Sequence, residues 1–228
     1  MKKLIVSGAL ALAFSTSAVV AEESGAFIGV DLGLANLSKM TSESSMNGGT
    51  RTTYALGSLR YGLMGGYKWF FTENVGLRAY VALNNGTSYL QDASTGNGTN
   101  GSSGQTPNGN QFNSMFINAN VDFLNTFYNS EQVSAGWFAG LSLGVGIHSG
   151  GIVKATTANS NLSNISGFDM GINLGLRTLF GKKHGIEFFT RFGVIGASAT
   201  AEMNGVAVKT DMSTTQIYNT GVRYTYNF

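Results

Sequence analysis

The sequence contains no cysteine, which excludes disulfides, thiolate chemistry and cysteine-ligated metal sites. Proline occurs once, at Pro107, and charged residues make up only 11% of the chain, against about 25% in an average soluble domain. Long apolar runs are also missing: the stretch from Leu4 to Phe14 is well short of the roughly 20 residues that a membrane-spanning helix needs. This composition is typical of a chain that contacts lipid through strands or of a secreted β-sandwich, and the period of the apolar pattern must separate the two.

The first 21 residues have the features of a secretory signal peptide: Lys2 and Lys3, then the apolar run, then small residues ending at Ala21. The sequence therefore predicts removal of residues 1–21 and a single domain over residues 22–228. Without the two lysines, the acidic and basic residues balance. Because no basic run or stripe remains, we expect no nucleic-acid partner.

Apolar residues recur at every second position in eight later segments, which is the period of a β-strand. In the clearest segment, from Val133 to His148, odd positions are apolar and even positions are mostly small or polar. The other segments lie at about 28–34, 53–69, 75–84, 114–124, 168–177, 185–196 and 215–228. An even number of strands is what a bacterial single-chain barrel requires.

The connections between these segments alternate in length. Short ones fall at about 70–74, 125–132 and 181–184, and long ones at about 38–52, 85–113, 149–167 and 197–214. A soluble sandwich gives no reason for this alternation. It predicts an all-β fold: a monomeric, eight-stranded antiparallel transmembrane β-barrel with short periplasmic turns and longer extracellular loops.

Aromatic residues occupy positions typical of a membrane barrel. In the last strand, Tyr224, Tyr226 and Phe228 share the face predicted to contact lipid, and their end of the strand is predicted to lie at the periplasmic interface. Four further aromatic residues are predicted at a similar depth, as an aromatic girdle. They are Trp69, Phe71, Phe123 and Trp137.

Ten charged residues fall at inward positions of the predicted strands. They are Asp31, Arg60, Lys68, Arg78, Asp122, Asp169, Arg177, Glu187, Arg191 and Arg223. One interpretation is a pore lining that selects ions. The other, which we favour, is a network of paired charges that fills the lumen, because about eight strands enclose just enough space for side chains and an unpaired buried charge is costly.

Many inward positions are glycine, and the sequence leaves their role open. They leave a water-filled gap, make room for arginine, Tyr80 and Phe189 from neighbouring strands, or permit the strong curvature of a small barrel. The glycines are Gly29, Gly33, Gly62, Gly66, Gly140, Gly144, Gly171 and Gly175.

His148 and Ser149, with Glu187 elsewhere, have the residue types of a hydrolase triad. Adjacent strand residues point to opposite faces, however, so His148 and Ser149 do not meet as base and nucleophile. With two histidines and no cysteine there is no metal-ligand cluster. We therefore predict no catalytic residue, no metal site, no cofactor and no enzyme activity.

Three stretches, "ENVGLRAY", "GINLGLRTLFGKKHGIEF" and the closing "YTYNF", are similar to the Helicobacter outer membrane protein family. The resemblance implies an outer-membrane location, with outer-membrane lipid as its surroundings. The aromatic residues at the C-terminus resemble the signal by which the barrel-insertion machinery recognises outer-membrane proteins, which implies that machinery as a partner.

The resemblance also bears on function, since the family includes porins and host-cell adhesins. The first hypothesis is a surface-exposed structural and interaction protein, adhesin-like, whose polar loops contact a host or surface ligand. The alternative is a narrow porin that passes ions or small solutes, and a lipid-modifying outer-membrane enzyme is the third.

Overall fold

The computed structural model describes residues 22–44, 50–97, 100–102, 111–150, 164–202 and 209–228, nearly all of which lie in strands. The predicted signal peptide, residues 1–21, and parts of the four predicted loops lie outside these residues. The strands are β1 (Gly25–Ser44), β2 (Thr50–Phe70), β3 (Val75–Asn97), β4 (Asn100–Ser102), β5 (Gln111–Asn129), β6 (Val133–Gly150), β7 (Asn164–Phe180), β8 (His184–Ile195), β9 (Ala197–Glu202) and β10 (Lys209–Asn227). Across these ranges, no helix is long and apolar enough to cross a membrane.

The strands form one closed antiparallel sheet. Its order is β1-β2-β3-β5-β6-β7-β8-β10, and the pairing of β1 with β10 closes the wall. β9 continues the position of β8 after a break at Gly196 and pairs with β10, while the short β4 pairs with β3. The described residues therefore confirm an eight-stranded barrel, in which closure pairs the two edge strands that would otherwise be exposed to lipid.

Side chains alternate between the two faces of the wall. In β6, Trp137, Leu141 and Val145 are exposed on the outer face, whereas Phe138 and Ser142 are buried inside. Most buried side chains are polar or charged, and many large apolar side chains are exposed. This arrangement is the reverse of a soluble protein and suits a wall with lipid outside.

The three short connections lie at one end of the barrel, called here the short-turn end; the opposite end is the long-loop end. The short connections cover residues 71–74, 130–132 and 181–183. In the last one, Gly181 and Lys182 both have positive φ, 55° and 62°, as a type I′ hairpin turn requires. These three turns correspond to the short connections predicted at about 70–74, 125–132 and 181–184.

Several strands run further than the sequence predicts. β1 continues to Ser44 and β2 begins at Thr50, so most of the connection predicted at 38–52 is strand. Likewise β3 continues to Asn97 and β10 begins at Lys209, inside the connections predicted at 85–113 and 197–214. The polar residues there mark the end of the apolar band, not the end of strand pairing, because hydroxyl and β-branched residues such as Thr suit strands well.

Two irregularities change which residues face the lumen. β1 shifts register near Leu34, and the β1–β10 pairing shifts again near Ile217. Before its shift β1 buries odd-numbered residues, and after it β1 buries Asn36 and Ser38. A bulge adds one residue to one strand of a pair and so reverses the inward face beyond it.

Candidate functional site in the barrel lumen

A buried carboxylate closes the lumen at the short-turn end. Glu22, which precedes β1, forms ion pairs with Lys68 of β2 at 2.6 Å and Arg177 of β7 at 2.7 Å. β2 and β7 are four positions apart in a wall of eight strands, so Glu22 joins opposite sides of the barrel. Burial raises the pKa of Glu22, but Arg177 and Lys68 outweigh it and hold this pKa below its ordinary value.

A second group of charges, the central ion cluster, consists of Arg78, Asp122, Glu187 and Arg223. The Arg78 guanidinium forms an ion pair with Asp122 of the adjacent β5 at 2.7 Å and donates to both Glu187 oxygens, to Oε2 at 3.2 Å. Arg223 pairs with Glu187 at 3.0 Å. Two arginines and two carboxylates balance in charge, which a buried cluster requires.

Aromatic rings surround the central ion cluster. Arg78 lies 5.0 Å from the ring centroid of Phe138 and 5.1 Å from that of Tyr80, and Arg223 lies 4.8 Å from that of Phe189. These distances are within the range of cation–π attraction. The rings therefore fill space around the ion pairs and also stabilise the cations.

Towards the long-loop end, side-chain amides also bind the carboxylates. Asp169 pairs with Arg191 and accepts from Asn118 at 2.6 Å. Asp31 accepts from Asn84 at 2.9 and 3.0 Å. Between these groups the lumen contains a cavity of about 20 Å³, called here the lumen cavity, which has room for one or two water molecules.

Beyond the lumen cavity, the interior becomes more apolar. His148 bonds with Ser114 at 2.9 Å and stacks on Phe112 at a centroid distance of 5.3 Å. Four aliphatic residues near this end are also almost fully buried: Met40, Leu56, Ile165 and Met212. These side chains narrow the lumen at the long-loop end.

All ten charged residues predicted to face inward lie inside the barrel. Nine are buried, and the Arg191 side chain is 11% exposed. Arg78, Asp122, Glu187 and Arg223 meet in one cluster; Lys68 and Arg177 meet through Glu22; Arg191 meets Asp169. Asp31 and Arg60 lie on the lumen cavity, and neither forms an ion pair within the described residues.

The aromatic residues predicted for the interface lie on the outer face at the short-turn end. Trp69, Phe71, Phe123 and Trp137 are exposed there, and the rings of Phe123 and Trp137 lie 5.7 Å apart. Tyr224 and Phe228 are exposed and Tyr226 is half-buried; the rings of Tyr226 and Phe228 lie 5.3 Å apart. Their role as an insertion signal stays a prediction.

The inward glycines make room for large neighbours. A Cβ on Gly171 would lie 2.6 Å from the guanidinium carbon of Arg191, and one on Gly66 would lie 2.5 Å from Cβ of Tyr80. Both distances are too short for any real side chain. Of the roles that the sequence leaves open, the structure favours room for arginine and aromatic side chains over a water-filled gap.

Glu22 and the inward asparagines are not among the site residues predicted from the sequence. Glu22 lies before the first periodic segment, so strand periodicity has no bearing on it. Asn84, Asn118 and Asn173 do occupy inward positions, and an amide at such a position, between predicted charged neighbours, is a signal that could have found them.

The residue types of a hydrolase triad are not assembled in the described residues. His148 bonds with Ser114, not with Ser149, and Glu187 is held by Arg78 and Arg223 in the central ion cluster. In the same ranges, no group of three or more His, Asp or Glu side chains is placed to hold a metal ion.

Residues 62–228 match the model of a family described as Helicobacter outer membrane protein. The fold is similar to the crystal structure of the outer membrane protein OprG from Pseudomonas aeruginosa, with a TM-score of 0.53 and 15% identity over 92% of this chain and 100% of that one. Neisserial surface protein A is a second similar structure, with a TM-score of 0.40 and 15% identity over 91% of this chain and 100% of that one. No curated protein sequence matches this chain. At these identities the structural likeness speaks for the fold alone.

Proposed function

The chain belongs to the Helicobacter outer membrane protein family and lies in the bacterial outer membrane. From this premise we propose that it is a surface-exposed structural and interaction barrel, adhesin-like, and not an open pore. The observation that carries the proposal is the filled lumen, whose cavity of about 20 Å³ accepts one or two waters.

The lumen is obstructed at several depths. Glu22 joins Lys68 and Arg177 across the short-turn end, and Arg78 joins Glu187 of the opposite wall at the next level. Hydrated ions need a continuous path of water through the lumen, and these ion pairs lie across that path. A barrel of eight strands provides little further space for one.

The long-loop end supports an interaction role. The last pair between β3 and β5 is Tyr89 with Gln111, yet β3 continues to Asn97 alongside β2. In this region β9, β10, β1, β2, β3 and β4 stay paired in that order, with β4 at one side of the described sheet. The outer face there carries exposed charges, including Lys39, Glu43 and Arg51. A polar sheet of this kind, placed beyond the apolar band, offers a partner both side chains and strand edges.

Two measurements together test the proposal. Purified protein in planar bilayers should give no stable conductance steps. Bacteria that express the wild-type chain should bind cultured epithelial cells, and a variant without residues 90–110 should lose this binding while reaching the surface in equal amount. A matched control is Glu131→Gln in a short turn, which should bind as the wild type does. Stable conductance with unchanged cell binding would overturn the proposal.

The alternative of a narrow porin is favoured by one observation, the six cations on the lumen side. If the bridges open, arginine side chains would line the path and select anions. In that case single-channel steps would appear, and their ion selectivity would change in Arg78→Gln or Arg177→Gln.

We further propose that the chain has no enzyme activity. His148 is buried and stacked on Phe112, and its hydrogen-bond partner Ser114 is buried as well. A substrate would need access to this pair, and the acid that would orient the histidine is engaged elsewhere. Phospholipid or lipopolysaccharide incubated with the protein should remain unmodified by mass spectrometry.

Two partner proposals accompany this function. Closure of β1 on β10 pairs the edge strands, so a monomer is expected in detergent by light scattering. The barrel-insertion machinery is the expected partner during assembly, through the C-terminal aromatic residues.

A further inference from the structure

One buried cation in the lumen has no carboxylate partner. Arg60 is 2% exposed, and its guanidinium lies 4.1 Å from the ring centroid of Phe116. Its Nε and Nη1 atoms have no hydrogen-bond partner. In the described part of the chain, every other cation inside the barrel forms an ion pair: Lys68, Arg78, Arg177, Arg191 and Arg223. An unpaired charge at this depth is costly unless something neutralises it.

Arg60 lines the lumen cavity, and so do other unsatisfied donors. The Tyr80 hydroxyl and the Nε of Arg223 belong to residues that line the same cavity and have no partner. The unsatisfied acceptor among its lining residues is Oδ1 of Asn219. Donors therefore exceed acceptors around the lumen cavity.

The carboxylate that lines the lumen cavity is already bound. Both oxygens of Asp31 accept from Asn84, at 2.9 and 3.0 Å. Arg191 also lines the cavity and pairs with Asp169, so neither Asp31 nor Asp169 forms an ion pair with Arg60. Over the interior as a whole, six cations face five carboxylates, Glu22 included. Two of these cations, Lys68 and Arg177, share Glu22, so the excess of one positive charge lies at that pair, and Arg60 and Asp31 are the two charged groups left without an ion pair at the lumen cavity.

We propose that the lumen cavity binds one monovalent inorganic anion of halide size, with Arg60 as its main ligand and Tyr80 as a second donor. An anion accepts from several donors at once, whereas a water molecule brings two hydrogen atoms that need acceptors of their own. The cavity volume of about 20 Å³ sets the size class: it suits a guest the size of a water molecule and excludes sulfate and phosphate. The site does not depend on whether the lumen conducts.

Bromide identifies the site directly, because it replaces chloride and scatters anomalously at its absorption edge. Crystals of the full-length mature protein in sodium bromide should give an anomalous peak inside the barrel beside Arg60. Crystals of Arg60→Gln should lack that peak and keep the same fold. An interior with no anomalous signal in wild-type crystals means that water alone fills the lumen cavity and overturns the proposal. Bromide peaks confined to the protein surface have the same meaning.

A solution experiment tests the same site without crystals. A ligand that binds only the folded state raises the unfolding midpoint as its concentration rises. The midpoint of the wild type should therefore be higher in sodium chloride than in sodium gluconate of equal ionic strength, and the difference should grow with concentration. Arg60→Gln should unfold at the same midpoint in both salts.

The matched control is Arg51→Gln, which neutralises an exposed arginine that pairs with Glu43 at 3.1 Å. It should keep the full chloride dependence of the wild type. Equal chloride dependence in the wild type and in folded Arg60→Gln would overturn the proposal. If Arg60→Gln does not fold, the wild-type bromide map still decides.

Discussion

Arg78 of β3 and Glu187 of β8 bind each other across the full width of the barrel, with both guanidinium Nη atoms donating to the two carboxylate oxygens. β3 and β8 stand four positions apart in the eight-strand wall. A two-point contact of this kind fixes the orientation of both groups. The Arg78–Glu187 ion pair therefore holds opposite walls together and also obstructs the lumen.

Replacing Arg78 should destabilise the barrel strongly. Arg78→Gln leaves Asp122 buried without a counter-charge and leaves Glu187 with Arg223 as its remaining ion-pair partner. Breaking a buried pair in this way costs about 3 to 5 kcal/mol. Guanidinium unfolding in lipid vesicles measures the loss. Arg51→Gln, at an arginine whose side chain is 61% exposed, should change the unfolding free energy by less than about 1 kcal/mol. Similar effects in the two variants would argue against the central ion cluster as a stabilising element.

Glu22 gives a prediction with a pH dependence. Glu22→Gln should lower the free energy of unfolding by about 3 to 5 kcal/mol at neutral pH, because it leaves Lys68 and Arg177 facing a neutral group. The pKa of Glu22 is lowered in the folded state, so its contribution is present above the unfolded pKa and disappears as the pH falls through the folded one.

The difference between wild type and Glu22→Gln should therefore shrink towards acid pH in parallel unfolding titrations. Glu23→Gln is the matched control, since the neighbouring Glu23 side chain is 76% exposed and its pair with Lys182 is open to solvent. A difference that stays constant from neutral to acid pH would show that charge is not the reason for the effect.

The outer face predicts the cost of a misplaced charge. Leu141 and Leu174 are 52% and 43% exposed in the apolar band, so arginine at either position should destabilise the barrel by about 2 to 4 kcal/mol in lipid. Ser213→Arg, on the exposed face of β10 near the long-loop end, should be nearly neutral. The comparison is made by denaturant unfolding in vesicles, and equal losses at the three positions would contradict the assignment of the band.

The C-terminus gives a prediction about assembly. Deleting Phe228, which is 71% exposed beside Tyr226, should reduce outer-membrane insertion in cells while export across the inner membrane continues. Folded protein is measured by its faster migration on unheated gels. Phe180→Ala removes an exposed aromatic residue at the same end from another strand, and it should insert normally. Unchanged insertion without Phe228 would count against an insertion signal.

Much of this architecture can be predicted from period and spacing alone. Strict alternation in β6 places Leu141 outside and Ser142 inside, whatever the neighbouring strands do, because successive strand residues point to opposite faces. The same rule assigns Arg78 and Glu187 to the interior. The alternation of short and long connections predicts that each strand pairs antiparallel with the next one along the chain.

Three features depended on the tertiary structure. Which charges meet across the lumen is decided by the stagger of strands far apart in sequence, as with Arg78 and Glu187, 109 residues apart. The register shifts near Leu34 and Ile217 bring Gln216 within 2.8 Å of Asn36 inside the barrel, although an unbroken period of two predicts the opposite face for both. The absence of an ion pair at Arg60 is also a property of the closed lumen.

Local periodicity reports the face of each residue, because that depends on the backbone of one strand. Which ion-pair partner a charged residue finds, and which donors are left without an acceptor, depends on closure of the whole wall. Opposite strands come within reach of each other only in the folded barrel.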